Sequence, residues 1–418
     1  MSVANIKRLH ARTGPCGAGT GRGATRVLRL AGAGLLLLLL AACQSTDIGL
    51  GPGTNLAGNA GQIVRTPNPN GEVFGKGQVR IAMLIPKTAP GNGAAVASEI
   101  RNGALLAMRD FGENDLELVI KDTAGQAAST QAAASEAVRE GATAVLGPVF
   151  AANVAAASSI TQPAGRTLIA YSTDTSNARR GVYLLSYTPQ EDSARIIRYA
   201  ISQGSKSFLA LVPAGTEGGV REAVLRQEAG ATAANVQVIR YERSIASIEA
   251  AVASSTPLLA AADTIYLPEG GEIPNAVMLS MRKNGINIVG KRLLGSGQWE
   301  SVVFKEAQLE GALYPGRDVS RFADFSARYE AAYGAKPNVW AALGYDSITL
   351  AANQVRSSGA AAFQPKSLEG SNGFVGINGI FRLRADGTAE RGLAIYQVEK
   401  GVGKLVVPAP VSFGRSGS

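Results

Sequence analysis

From Val79 onward the chain alternates short apolar runs rich in β-formers with longer stretches whose apolar residues recur every three or four positions. The run VRIAMLI at 79–85 reads as a buried strand ended by Pro86, and 94–111 as a helix with Ile100, Ala104, Leu105 and Met108 on one side. Strands are predicted at 116–120, 144–146, 167–170 and 182–185, with helices over 127–140 and 151–161 between them. A second series starts after a helix at 191–203. Its strands are 208–212, 236–241, 264–267 and 292–294, and its helices 218–228, 245–254 and 273–284. Two helices follow at 321–333 and 339–357, then β-runs at 379–383 and 393–399 around the turn Ala385-Asp386-Gly387. Strand alternating with helix at this spacing means βαβ units and parallel sheets covered on both faces. The expected fold class is α/β, in two lobes, each a parallel sheet flanked by helices. The cleft between them lies beyond the carboxyl ends of the strands. Lobe 1 is expected over 79–190 plus 312–358, lobe 2 over 191–311 plus 372–400, and 401–418 is read as a tail.

The first 78 residues follow another rule. A basic stretch ends at Arg29, and the apolar run 30–42 is centred on six leucines, Leu35–Leu40. Thirteen apolar residues are too few to span a bilayer but suit the core of a signal peptide, assigned to 1–42. The run ends in Leu40-Ala41-Ala42-Cys43, which resembles the bacterial lipoprotein cleavage box and marks Cys43 as the lipidated first residue of the mature chain. Residues 44–78, rich in Gly, Asn, Pro and Thr with no hydrophobic period, read as a flexible tether.

Composition then removes several functions. The chain of 418 residues carries a formal charge of +9, but six of its basic residues and none of its acids fall within 1–42. What remains is about +3, ordinary for a globular surface, so no nucleic-acid partner is expected. Cys16 and His10 leave with the leader and Cys43 is consumed by lipid. The mature chain then has no thiol and no imidazole, hence no disulfide, no cysteine or histidine metal ligand and no triad for Ser172. Neither enzyme chemistry, a metal nor a cofactor is expected. Gly75-Lys76-Gly77 has no Ser or Thr after the lysine, and Gly295-Ser296-Gly297 lacks the third glycine of a dinucleotide fingerprint.

Several segments carry a resemblance. Leu84-Ile85-Pro86 with Gly91 and Gly103-Ala104 comes first, then Val145-Leu146-Gly147-Pro148 and Ile169-Ala170-Tyr171-Ser172-Thr173. Phe325, Tyr329, Tyr333-Gly334 and Pro337 follow, ahead of Gly344-Tyr345-Asp346. In order and spacing they resemble type I periplasmic solute-binding proteins of the leucine/isoleucine/valine-binding branch. The resemblance implies the two-lobed fold of that family and a ligand held by loops at strand ends. Transferred by position, the cleft candidates are Thr88, Ala151, Ala152, Tyr171, Ser172 and Thr173 in lobe 1, with Glu217, Glu269 and Trp299 in lobe 2. Backbone N–H groups beside a helix N-terminus suit a carboxylate, hydroxyls at Ser172 and Thr173 add hydrogen bonds, and Glu217 or Glu269 suits an ammonium group.

The pattern also departs from that branch. Ala151-Ala152 stand where amino-acid binders commonly place a serine, and Pro213-Ala214-Gly215-Thr216-Glu217 replaces an Asp…Tyr-Gly pattern. The Leu-Ile-Pro and Leu-Gly-Pro segments are similar also to lipoproteins that activate penicillin-binding proteins. That likeness implies a peptidoglycan synthase as partner, and it is the main functional expectation. The alternative is an ABC-transporter receptor for amino acids or related small solutes, working with a permease. An amino-acid-like or muropeptide ligand is compatible with both. Gln44, where an Asp would favour inner-membrane retention, points to lipid anchoring at the periplasmic face of the outer membrane.

Overall fold

The computed structural model describes residues 65–413. Cys43, the leader and tether residues 44–64 lie outside the described residues. The first sheet contains β1 (Glu72–Phe74), β2 (Val79–Ile85), β3 (Leu116–Asp122), β4 (Ala144–Leu146), β5 (Thr167–Ala170) and β6 (Val182–Leu184), in the order β1-β3-β2-β4-β5-β6. All its pairs are parallel except β1 with β3. Helices α1 (Gly93–Ala107), α2 (Ala127–Arg139) and α3 (Ala151–Thr161) connect the strands. Alternation along β2 explains why its run is apolar throughout. Ile81, Met83 and Ile85 join one core, while Ala82 and Leu84 join the core under α2 and α3 on the other face.

The second sheet has the order β16-β15-β11-β10-β9-β7-β8. After α4 (Pro189–Ser202) the chain forms β7 (Ser207–Pro213), α5 (Thr216–Gly230), β8 (Asn235–Tyr241), α6 (Ile245–Ser254), α7 (Thr256–Ala261), β9 (Thr264–Tyr266), α8 (Ile273–Lys283), β10 (Arg292–Leu294) and β11 (Leu313–Gly316). It then returns to the first lobe with α9 (Phe322–Tyr333), α10 (Val339–Ser358) and α11 (Pro365–Leu368). A small antiparallel sheet follows, made of β12 (Phe374–Gly376), β13 (Gly379–Leu383) and β14 (Ala389–Arg391). The chain ends in the second sheet with β15 (Ala394–Glu399) and β16 (Val402–Val407). The α/β class and the two-lobed design expected from the hydrophobic pattern are therefore what the chain adopts.

Four boundaries differ from expectation. Residues 65–78 are not tether: β1 pairs with β3 and Asn70 N donates to Glu140 Oε1 at 2.7 Å. Arg80, 2% exposed, adds a bond from Nη2 to the carbonyl of Thr66 at 2.8 Å. A lead-in without hydrophobic period is thus held by polar contacts and a three-residue edge strand. The stretch 313–316 belongs to the second sheet, not to lobe 1, because β11 extends it beside β10 and accepts β15 on its other edge. Residues 374–391 belong to lobe 1, where Phe381, Leu383 and Ala389 share a core with Ile348 and Leu350 of α10. The C-terminal stretch also carries structure, since β16 pairs along β15.

Lobe 1 closes through an unusually tight pair of helices. A Cβ on Gly103 of α1 would lie 1.9 Å from the carbonyl oxygen of Ala341, and one on Gly344 of α10 would lie 2.1 Å from that of Ile100. The two glycines let backbone meet backbone, which gives Gly103-Ala104 and Gly344-Tyr345 a packing role. Gly344→Ala must push the helices apart and is expected to cost about 1–3 kcal/mol in a denaturant titration.

Candidate functional site

Among the described residues, three segments cross between the lobes: the link from β6 to α4, the link from β11 to α9, and Gly392-Leu393 between β14 and β15. They floor a cleft of about 750 Å³. Lobe 1 supplies Thr173, Asp174 and Thr175 after β5, with Val339, Trp340 and Leu343 from the first turns of α10. Lobe 2 supplies Thr216, Glu217, Val220 and Arg221 from α5, and Gly297, Gln298 and Ser301 after β10. The crossings add Tyr187, Arg317 and Leu393, and Arg391, the last residue of β14, stands beside them. A cavity of this size, part apolar and part polar, suits a small organic molecule.

The second-lobe wall is built on a paired charge. Arg221 is 1% exposed, and its Nη1 donates to Asp192 Oδ1 at 2.9 Å and to Ser193 Oγ at 3.1 Å. Asp192 Oδ2 accepts from Gly297 N at 3.0 Å, which joins the start of α4 to the loop after β10. Burial pushes the Asp192 carboxyl up, and Arg221 only partly offsets this. Burial also acts against the Arg221 charge, yet Asp192 and Tyr266 outweigh it and the guanidinium is held all the more strongly protonated. Glu217 meets Arg221, Arg243 and Gln298. Burial raises its carboxyl, but these neighbours outweigh burial and hold it below its ordinary range. Glu300 pairs with Arg317 at 2.6 Å and Glu191 with Arg384 at 2.8 Å.

The floor differs. Arg391 is 6% exposed; its Nη2 donates to the carbonyl of Leu185, its Nε to that of Ser186 at 3.3 Å, and its guanidinium stacks 4.0 Å from the centre of the Tyr187 ring.

Of the residues expected at the site, Thr173 and Glu217 line the cleft. The others have different tasks. Thr88 Oγ1 donates to Asp122 Oδ2 at 2.6 Å, at the end of β2. Ala151 and Ala152 form the first turn of α3. Tyr171 is fully buried with its hydroxyl 2.8 Å from Ser347, and Ser172 Oγ accepts from Asp174 N at 3.2 Å. Glu269 is held by Tyr241 and by Arg243 Nε, so its carboxylate is already spent. Trp299 is core rather than cleft: it is fully buried, donates from Nε1 to the carbonyl of Glu269 at 2.9 Å, and packs on Phe304 and Tyr314. The tryptophan at the cleft is Trp340. Its signal was Asn338, whose side chain caps α10 by accepting from Trp340 N at 2.9 Å and so fixes the indole in the first turn. Arg391 carried no comparable signal.

The sequence over 78–403 matches the family described as periplasmic binding protein, and the chain belongs to that family. No curated protein matches the chain in sequence. Solved structures share the fold at low identity. One is the periplasmic ligand-binding protein of a branched-chain amino acid ABC transporter from Burkholderia xenovorans, 17% identical, covering 80% of this chain and 96% of its own, with a TM-score of 0.63. Another is an ABC transporter substrate-binding protein from Desulfitobacterium hafniense in complex with Leu, 19% identical, covering 78% and 99%, with a TM-score of 0.58. A third is a solute-binding protein of an ABC transporter from Rhodopseudomonas palustris in complex with 3,4-dihydroxybenzoic acid, 18% identical, covering 80% and 97%, with a TM-score of 0.55.

Proposed function

We propose that this protein is a periplasmic solute receptor, anchored by lipid on Cys43, that takes a small organic solute between its lobes and presents it to an ABC permease. The observation that carries the reading is the hinged cleft itself, large enough for one small molecule and walled by Trp340 and Leu343 opposite Val220 and Thr216. The structural relatives described above, solute-binding proteins of ABC transporters, support the same reading. Binding to the closed state raises stability by linkage, about 2.7 kcal/mol at a hundredfold excess over Kd. A thermal-shift screen over amino acids, aromatic acids, short peptides and muropeptide fragments is expected to find a solute that raises Tm. Trp340→Ala should weaken that solute at least tenfold. A flat screen would refute the receptor.

A second reading, activation of a penicillin-binding peptidoglycan synthase through protein contact, is favoured by one feature. Ala151-Ala152 offer no hydroxyl where amino-acid binders commonly have one, and neither residue lines the cleft. A solute-independent rise in glycan polymerisation on mixing the protein with purified synthases would decide for it.

A further inference from the structure

We propose that Arg391 and Tyr187 form an anion subsite on the floor of the cleft, so that the solute is an organic carboxylate with an apolar or aromatic body and needs no ammonium group. The inference rests on the receptor reading above and narrows it. Each of the two residues keeps a buried polar atom without a partner: Nη1 of Arg391 and the hydroxyl of Tyr187. Both residues line the cleft, and both atoms are shielded from bulk water. A buried donor left unmade is costly and calls for an explanation, whereas a carboxylate accepts readily from a guanidinium and a phenol together.

Charge balance points the same way. The cleft acids Glu191, Asp192, Glu217 and Glu300 each face an arginine within salt-bridge distance. Asp174, at the exposed rim, spends Oδ1 on Ser176 N at 2.9 Å. Among the described residues, Arg391 has no carboxylate at salt-bridge distance; its bonds go to two backbone carbonyls. Asp346 is the acid on which its charge acts, and burial pushes that carboxyl up to about 7, so near neutrality it is about half neutral and compensates the guanidinium only in part. Trp340, Leu343, Val220 and Leu393 give the body of such an acid an apolar enclosure.

The test is calorimetric titration of the full chain with benzoate, 3,4-dihydroxybenzoate, 3-phenylpropanoate and leucine, each against its amide. At least one acid should bind at least tenfold more tightly than its amide. Arg391→Gln should lose at least tenfold in affinity for that acid, with Arg391→Lys recovering part of it. Arg391 also holds two carbonyls, so Tyr187→Phe, which removes one hydroxyl and leaves the ring on the guanidinium, serves as the second variant and should lose severalfold. Equal binding of acid and amide, unchanged affinity in Tyr187→Phe and Arg391→Gln, or no binding by any acid overturns the subsite. Neutral or cationic solutes that still bind would leave the receptor standing; a panel with no binder at all removes both.

Discussion

Replacing Arg221 by Met is expected to destabilise the protein by about 3 kcal/mol near neutral pH, the low end of the range for removing one partner of a buried pair. The guanidinium is 1% exposed and holds Asp192, whose side chain is 14% exposed, at 2.9 Å. Met fills most of the volume but leaves Asp192 with only the Gly297 amide and the Ser193 hydroxyl. The carboxyl, already raised by burial, then titrates higher still. The penalty should therefore shrink as pH falls and the acid neutralises. Urea titrations of both proteins at pH 7.5 and pH 4.5 check this, and a penalty equal at the two values would mean that lost packing, not charge, is responsible.

The second large effect concerns Asp346. It is 2% exposed, its Oδ1 accepts from Ile377 N at 2.8 Å, and its Oδ2 has no partner. Burial lifts its pKa from 3.8 to about 7 against the pull of that amide and of Arg391. The folded protein therefore holds a proton that the unfolded chain releases near pH 4. Stability from this group is complete below about pH 4, falls as pH rises towards 7, and stays low above it. The full span is about 4 kcal/mol at 1.36 kcal/mol per unit. Asp346→Asn, an uncharged isostere, should be more stable than the parent at pH 8 and should flatten this part of the profile. Guanidinium denaturation at pH 4.5, 6 and 8 measures it, and an unchanged slope would count against a carboxyl held neutral.

Much of this fold was legible because its central strands are buried on both faces and bounded by Pro and Gly. The runs at 144–146 and 167–170 match β4 and β5 residue for residue, and 292–294 matches β10. What escaped was the periphery. The segment LYPG of β11 has a proline and a glycine among four residues, so nothing in its period marks a strand; its pairing with β10 and β15 makes it one. β16 is exposed along nearly its whole length, so it shows no inward-facing pattern. The site was less legible than the fold. Loops after β5, β7 and β10 do reach the cleft through Thr173, Glu217 and Gln298. But Glu269 and Trp299 are internal supports of lobe 2. Arg243 lies 26 positions from Glu269. Phe304 and Tyr314, though downstream of Trp299 in the same stretch, are brought onto its ring only by the fold, so none of these partners could be read from the sequence pattern. Arg391 reaches the floor only because the small sheet returns to lobe 1 before the last crossing.

The docking of β1 along β3 has a mechanical meaning. Any pull transmitted along the chain toward Arg65 enters the molecule through the β1–β3 ladder and through the Arg80 and Glu140 contacts, all within lobe 1. It is borne in shear at that edge and does not pass through the three crossings, so the angle between the lobes is insulated from load on the N-terminal side. Lobe 1 is then the part that takes such a load, and lobe 2, joined to it only through the three crossings, carries none of it.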